Sequence, residues 1–151
     1  MGHAMLIQLG LATLMVTGIA LIHLVGLAAL TRVLRSHSRL LRKLRFMPLT
    51  LLMTATIGII GIHTIEIWIY AGLYMELGAF RDFEEALYFS TVTYASIGYG
   101  DLLMARQWRI LGAIEGAAGI FMIGWSTAYV VSILTQLKLL SHDWLTRDQA
   151  D

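Results

Sequence analysis

From Met1 to Thr31 the chain carries no lysine, arginine, aspartate or glutamate. About 20 apolar residues in a helix cross a bilayer, so residues 1–31 are expected to form a peripheral membrane span. A cleaved leader is not expected, because a basic start is missing and the apolar run is about twice the usual length of a leader core. Gly10, Gly18 and Gly26 punctuate the run. Their spacing permits close approach of a second helix, although glycine is common in membrane helices without that role.

The remainder has the same character. Of 151 residues, 58% are hydrophobic and 14% charged, and the mean hydropathy is +0.72. A soluble domain of this size buries too little surface to hide so much apolar area, and it carries about 25% charged residues. The absence of cysteine excludes disulfides and thiolate chemistry, and a net charge of +1 provides no general field for nucleic acid.

Position matters more than total charge, for six of the eleven basic residues fall between Arg32 and Arg45. Residues 32–47 set Leu40, Leu41, Leu44 and Met47 against Arg35, Arg39, Arg42, Lys43 and Arg45, which reads as a basic interfacial helix capped by Ser36 or Ser38. Flanked by apolar spans, the run suits anionic lipid headgroups rather than nucleic acid. Basic loops lie inside the cell, so the N-terminus is expected outside, and loop 32–47 and the tail 138–151 in the cytoplasm. A second span is expected at 49–73, after Pro48, and a third at 110–137.

Between them, the stretch from Ala86 to Tyr99 is uncharged but too short to cross, which fits a re-entrant segment. Asp82 followed by Glu85 forms a helix-capping pattern, so a short helix is expected over 83–95. It stops at Ser96-Ile97-Gly98-Tyr99-Gly100-Asp101. At membrane depth, non-helical backbone survives only against protein or a watery cavity. Alternate glycines tolerate positive φ, which lets successive carbonyls turn to one side. Several such strands around an axis would replace the water shell of a cation, and the negative end of the short helix dipole would favour that cation.

The arrangement of helix, re-entrant helix, Gly-Tyr-Gly-Asp and helix, carried by FEEALYFSTVTYASIGYGD at 83–101, resembles the pore module of the potassium channel superfamily. It is most similar to small prokaryotic ion channel proteins with one extra N-terminal helix. The resemblance spans about Leu49 to Gln136 and implies an all-α membrane protein with three transmembrane helices, a re-entrant pore helix and a filter loop, 48–137 being the pore module. It implies that Ser96, Ile97, Gly98, Tyr99 and Gly100 form the selectivity filter, with K⁺ held at Ser96, Ile97, Gly98 and Tyr99 and Asp101 at the outer mouth. Tyr99 is expected to turn away from the axis, against neighbouring aromatics. One filter per chain requires a homotetramer.

The departures from the family pattern are specific. Ser96 stands where threonine is usual, which keeps the hydroxyl and loses the methyl that stiffens χ1. Tyr88 and Phe89 replace a tryptophan pair, and Val92 replaces an acidic brace for the filter aspartate. Asp101 therefore needs another neighbour, or water. Gly112, Gly116, Gly119 and Gly124 crowd the third span. Gly119, with Gly124, is a candidate gating hinge, close packing against the pore helix being the other reading, and the better one for Gly112 and Gly116.

His63, Glu66 and Glu115 are ionisable groups inside spans, and such groups are costly and commonly functional. Glu66 and Glu115 fall at similar depth, about 10 Å below the outer surface at 1.5 Å per residue, and His63 lies one turn from Glu66. A hydrogen-bonded cluster of the three behind the filter is one expectation, sensitive to pH through the imidazole. Separate bonds to hydroxyls such as Thr91, Thr93 or Tyr94 are the other. His63 and Glu66 also match half of a di-metal carboxylate site, which needs the motif twice.

Outside, Glu76, Asp82, Glu84, Glu85 and Asp101 outnumber Arg81, Arg106 and Arg109, an acidic collar that concentrates cations. No helix carries the regular arginine row of a voltage sensor. The expectation is a passive K⁺ channel in a cell inner membrane, not an enzyme, with no cofactor beyond the permeant ion. A weakly selective cation channel and a non-conducting structural subunit are the alternatives.

Overall fold

The computed structural model describes residues 2–41 and 46–137, with side chains placed over 5–36 and 46–137. It contains four α-helices: α1 (Gly2–Leu41), α2 (Met47–Glu76), α3 (Phe83–Tyr94) and α4 (Arg109–Gln136), with a 3₁₀ turn over Arg106–Trp108 leading into α4. No strand occurs among the described residues. The helices α1, α2 and α4 are each long and apolar enough to cross a membrane. Only 17–22% of their most apolar stretches is buried within the chain, which leaves broad apolar faces for lipid or for other copies.

Local sequence explains most boundaries. Pro48 stands in the first turn of α2, where a missing N–H costs nothing. At the other end Gly78 adopts φ +60°; its N–H bonds the Met75 carbonyl at 3.0 Å and that of Ala79 bonds Tyr74 at 2.9 Å. That paired C-terminal cap turns the chain sharply toward α3. Asp82 then caps α3, its carboxylate accepting from the Glu85 N–H at 2.9 Å, while the Glu85 carboxylate accepts from the Arg81 N–H at 3.3 Å.

The expected division between a span at 1–31 and a separate interfacial helix at 32–47 needs correction. The helix α1 runs unbroken from Gly2 to Leu41, because neither proline nor glycine interrupts Thr31 to Leu41 and Leu34 is buried against α2. Ser36 and Ser38 lie inside α1, not at a helix start. The tail 138–151 and residues Arg42, Lys43 and Arg45 lie outside the described residues, as does the Arg39 side chain.

The helix α3 is wedged between α2 and α4, and α1 packs on the outside of those two. Leu30 of α1 fills the space above Gly58, and Ile62 of α2 that above Gly26. Gly10 and Gly18 meet nothing within 4 Å, so of the three N-terminal glycines only Gly26 makes a close approach. Gln8 of α1 accepts from the Ile110 N–H at 3.1 Å, satisfying one of the free amides at the start of α4. Thr31 and Tyr129 join α1 to α4 through hydroxyls 2.8 Å apart.

Candidate functional site

Beyond α3 the backbone leaves helical geometry in a regular alternation. Ser96, Gly98 and Gly100 have φ of +56°, +59° and +77°, and Ile97 and Tyr99 between them do not share it. Two glycines make this cheap; Ser96 is the one non-glycine at positive φ among the described residues. Three amides are anchored on α3: Ser96 N–H on the Thr93 carbonyl at 2.9 Å, and Ile97 and Gly98 N–H on the Val92 carbonyl at 2.9 and 3.4 Å. The carbonyls of residues 96–100 accept no hydrogen bond from the described residues, and the whole segment is exposed in the single chain.

Each filter-support candidate has a definite place. Tyr88 donates to Asp101 at 2.7 Å, so Asp101 is braced by the phenol. That hydrogen bond holds the Asp101 carboxyl below its usual range, and the carboxylate in turn raises the Tyr88 phenol. Phe89 stacks with Phe80 and Tyr74, its centroid 4.9 and 5.7 Å from theirs. Val92 is buried and serves through its carbonyl. Tyr99 differs from expectation: no ring of the described residues contacts it, and it is 69% exposed, because α3 directs Tyr88 to Asp101 and Phe89 into the core.

Beside α3 lie two buried carboxylates, each tied to it. Glu115 of α4 accepts from Tyr74 of α2 and from Ser90 of α3; the Ser90 hydroxyl also lies 3.0 Å from the Ile67 carbonyl. Glu66 of α2 accepts from the Tyr94 hydroxyl, and His63 Nδ1 lies 3.1 Å from it. His63 and Glu66 thus meet, whereas Glu115 has its own partners and does not join them through any hydrogen bond among the described residues. Tyr94 and Ser90 stand one turn apart on α3, so the two carboxylates grip successive turns of the helix that leads into residues 96–101.

Three further residues belong to this layer, and sequence reasoning did not single them out. His23 of α1, fully buried, places Nδ1 2.9 Å from the Glu66 carboxylate. Ser126 of α4 lies 3.0 Å from His63 Nε2 and 3.4 Å from His23 Nε2. Ser90 supplies the hydroxyl for Glu115. His23 carried a usable signal, as an ionisable residue in the middle of an apolar span; the serines carried none.

The glycines of α4 form the seat for α3. A Cβ on Gly112 would press on Phe89 and Met104 at 3.3–3.4 Å, one on Gly116 would lie 3.3 Å from the Thr93 carbonyl, and one on Gly119 would fall onto the Tyr94 carbonyl. Gly124 meets nothing within 4 Å. Gly119 thus has a packing reason of its own. Beside the start of α3, Asp82, Glu84, Glu85 and Asp101 line one open hollow with Tyr88 and Leu102.

Residues 49–136, more than half the chain, match the family described as ion channel. The chain belongs to the ion channel family. Comparison with curated proteins and with solved structures gives no match. The ion channel match runs from the first turn of α2 to the last residue of α4, so it takes in α3, the 96–101 segment and both buried carboxylates. Helix α1, with His23, lies outside it and is an addition to the channel module.

Proposed function

We propose that four copies of this channel protein surround one axis and conduct K⁺ passively through a filter made of Ser96, Ile97, Gly98, Tyr99 and Gly100. The observation that carries this reading is the alternation of positive φ at Ser96, Gly98 and Gly100 in an exposed segment whose carbonyls accept no hydrogen bond from the described residues. Backbone in that state at membrane depth needs a watery cavity or a partner, and converging carbonyls supply a dehydrated cation with oxygens. K⁺ is bound at Ser96, Ile97, Gly98 and Tyr99. One chain contributes one strand, and neighbouring chains supply the other walls and the aromatic packing that Tyr99 lacks within its own chain.

The acidic hollow at Asp82, Glu84, Glu85 and Asp101 raises cation concentration at the mouth. Helix α1 begins outside, and the basic run Arg35, Arg39, Arg42, Lys43 and Arg45 recruits anionic lipid at the cytoplasmic surface of the plasma membrane. The test is purified protein in planar bilayers with K⁺ on one side and Na⁺ on the other. A barium-sensitive current that reverses far toward the K⁺ potential supports the proposal, with Gly98→Ala silent because φ +59° penalises a Cβ. A reversal near zero favours a weakly selective cation channel, and no current at all favours a structural subunit.

A further inference from the structure

Behind the filter, His23, His63 and Glu66 bring three ligand atoms within 4.8 Å of one another. Both imidazoles turn Nδ1 toward the same carboxylate, His23 at 2.9 Å and His63 at 3.1 Å. Neighbouring ligands on a tetrahedral zinc at 2.0–2.2 Å are about 3.4 Å apart, so three atoms already within 4.8 Å of one another need only a side-chain adjustment to share an ion. The Tyr94 hydroxyl, 3.0 Å from His63 Nδ1 and bonded to Glu66, is available as a fourth ligand. His63 and Glu66 alone are half a metal site. His23, on the helix that the channel family match leaves out, supplies what they lack.

Hydrogen counting accommodates a cation here. Both Nε2 atoms face the single hydroxyl of Ser126, at 3.4 Å from His23 and 3.0 Å from His63. If each neutral imidazole donates Nδ1–H to Glu66, two Nε2 lone pairs compete for one hydroxyl hydrogen. If both Nδ1 lone pairs bind a metal, both Nε2–H groups donate into the two lone pairs of the Ser126 oxygen, the outer support that metal-bound histidines ordinarily have. The metal-free resolutions are one additional proton on an imidazole, or opposite tautomers, with His63 accepting from Tyr94 at Nδ1 and donating Nε2–H to Ser126. No lysine or arginine reaches Glu66 to balance its charge among the described residues.

We propose that His23, His63 and Glu66, with Tyr94, bind one divalent transition metal of zinc type per chain. Two imidazoles, a carboxylate and a phenolic oxygen suit zinc rather than magnesium or calcium, which prefer all-oxygen sites. The bound ion fastens α1 to α2 and to the last residue of α3, next to the filter. His63, whose side chain is 16% exposed, leaves the edge through which the ion enters.

The test is zinc binding to the full-length protein in detergent, in a background carrying His3→Gln, His37→Gln and His142→Gln so that His23 and His63 are the only histidines. One zinc per chain is expected, with X-ray absorption showing two imidazole nitrogens at about 2.0–2.1 Å and a higher Tm on addition of zinc. His23→Gln should weaken binding by about 100-fold or more and abolish the Tm rise, and Ser126→Ala should weaken it by about 10–100-fold. Absence of stoichiometric zinc, absorption spectra with oxygen ligands alone, or unchanged affinity in folded His23→Gln or Ser126→Ala overturns the proposal and leaves a metal-free hydrogen-bonded cluster. Should His23→Gln not fold, the absorption spectrum of zinc on the unsubstituted site decides. Metal, not current, is read, so the outcome stands apart from conduction.

Discussion

Replacing Gly119 by alanine separates a packing glycine from a hinge. A Cβ there would overlap the Tyr94 carbonyl oxygen and approach its carbon to 2.8 Å and its Cα to 3.0 Å. These atoms are backbone of the last residue of α3, so they cannot swing aside as a side chain would. Overpacking of this kind costs about 1–3 kcal/mol. Alanine also favours a helix over glycine by about 0.5–1 kcal/mol, but Gly124→Ala in the same helix receives that gain and meets nothing within 4 Å. The helix term therefore cancels between the two variants. Gly119→Ala should be the less stable by about 1–3 kcal/mol per chain, a gap of several degrees in Tm for a chain of this length, with reduced current. Thermal unfolding of the two purified variants, followed by tryptophan fluorescence, measures the difference. Equal Tm values would refute the packing argument, and equal Tm with altered opening would identify Gly119 as a hinge.

Tyr88→Phe removes the phenol that holds the Asp101 carboxyl low. A depressed carboxyl keeps its charge until pH falls through the lowered value, so wild type should retain mouth charge to lower pH. Conductance should decline on acidification at a higher pH in Tyr88→Phe than in wild type, and coincident titrations would contradict this. Glu115→Ala strands the buried hydroxyl of Tyr74, at about 1–3 kcal/mol, leaves Ser90 only the Ile67 carbonyl, and should destabilise the protein more than Glu115→Gln, which keeps one acceptor; denaturant or thermal unfolding ranks them. Tyr70 buries a hydroxyl with no hydrogen-bond partner among the described residues, so Tyr70→Phe should hold or raise Tm, and a fall of several degrees would reveal a partner from another chain.

The three spans were legible because length and apolarity alone dictate them, and the cap at Asp82 because its chemistry is local. The end of the first span was not, since Ser36 and Ser38 serve equally as caps or as interior helix residues, and only packing of Leu34 against α2 decides between them. Positive φ at Gly98 and Gly100 was readable from residue type, whereas at Ser96 it is imposed by the alternation around it. Glu66 and Glu115 announced themselves by their cost in an apolar helix. Their partners did not: Tyr74 reaches Glu115 across 41 positions and His23 reaches Glu66 across 43, distances at which helix rotation, invisible in a single sequence, selects the contact. The same limit applies to Tyr88, whose phenol bonds Asp101 rather than Tyr99.

An electron-microscopy map of the purified protein in potassium tests the central claim most directly. Fourfold symmetry is predicted, with a row of densities on the axis between the carbonyls of residues 96–100. A particle of one or two chains, or a fourfold particle with those carbonyls turned from the axis and no density between them while the protein conducts, would contradict it.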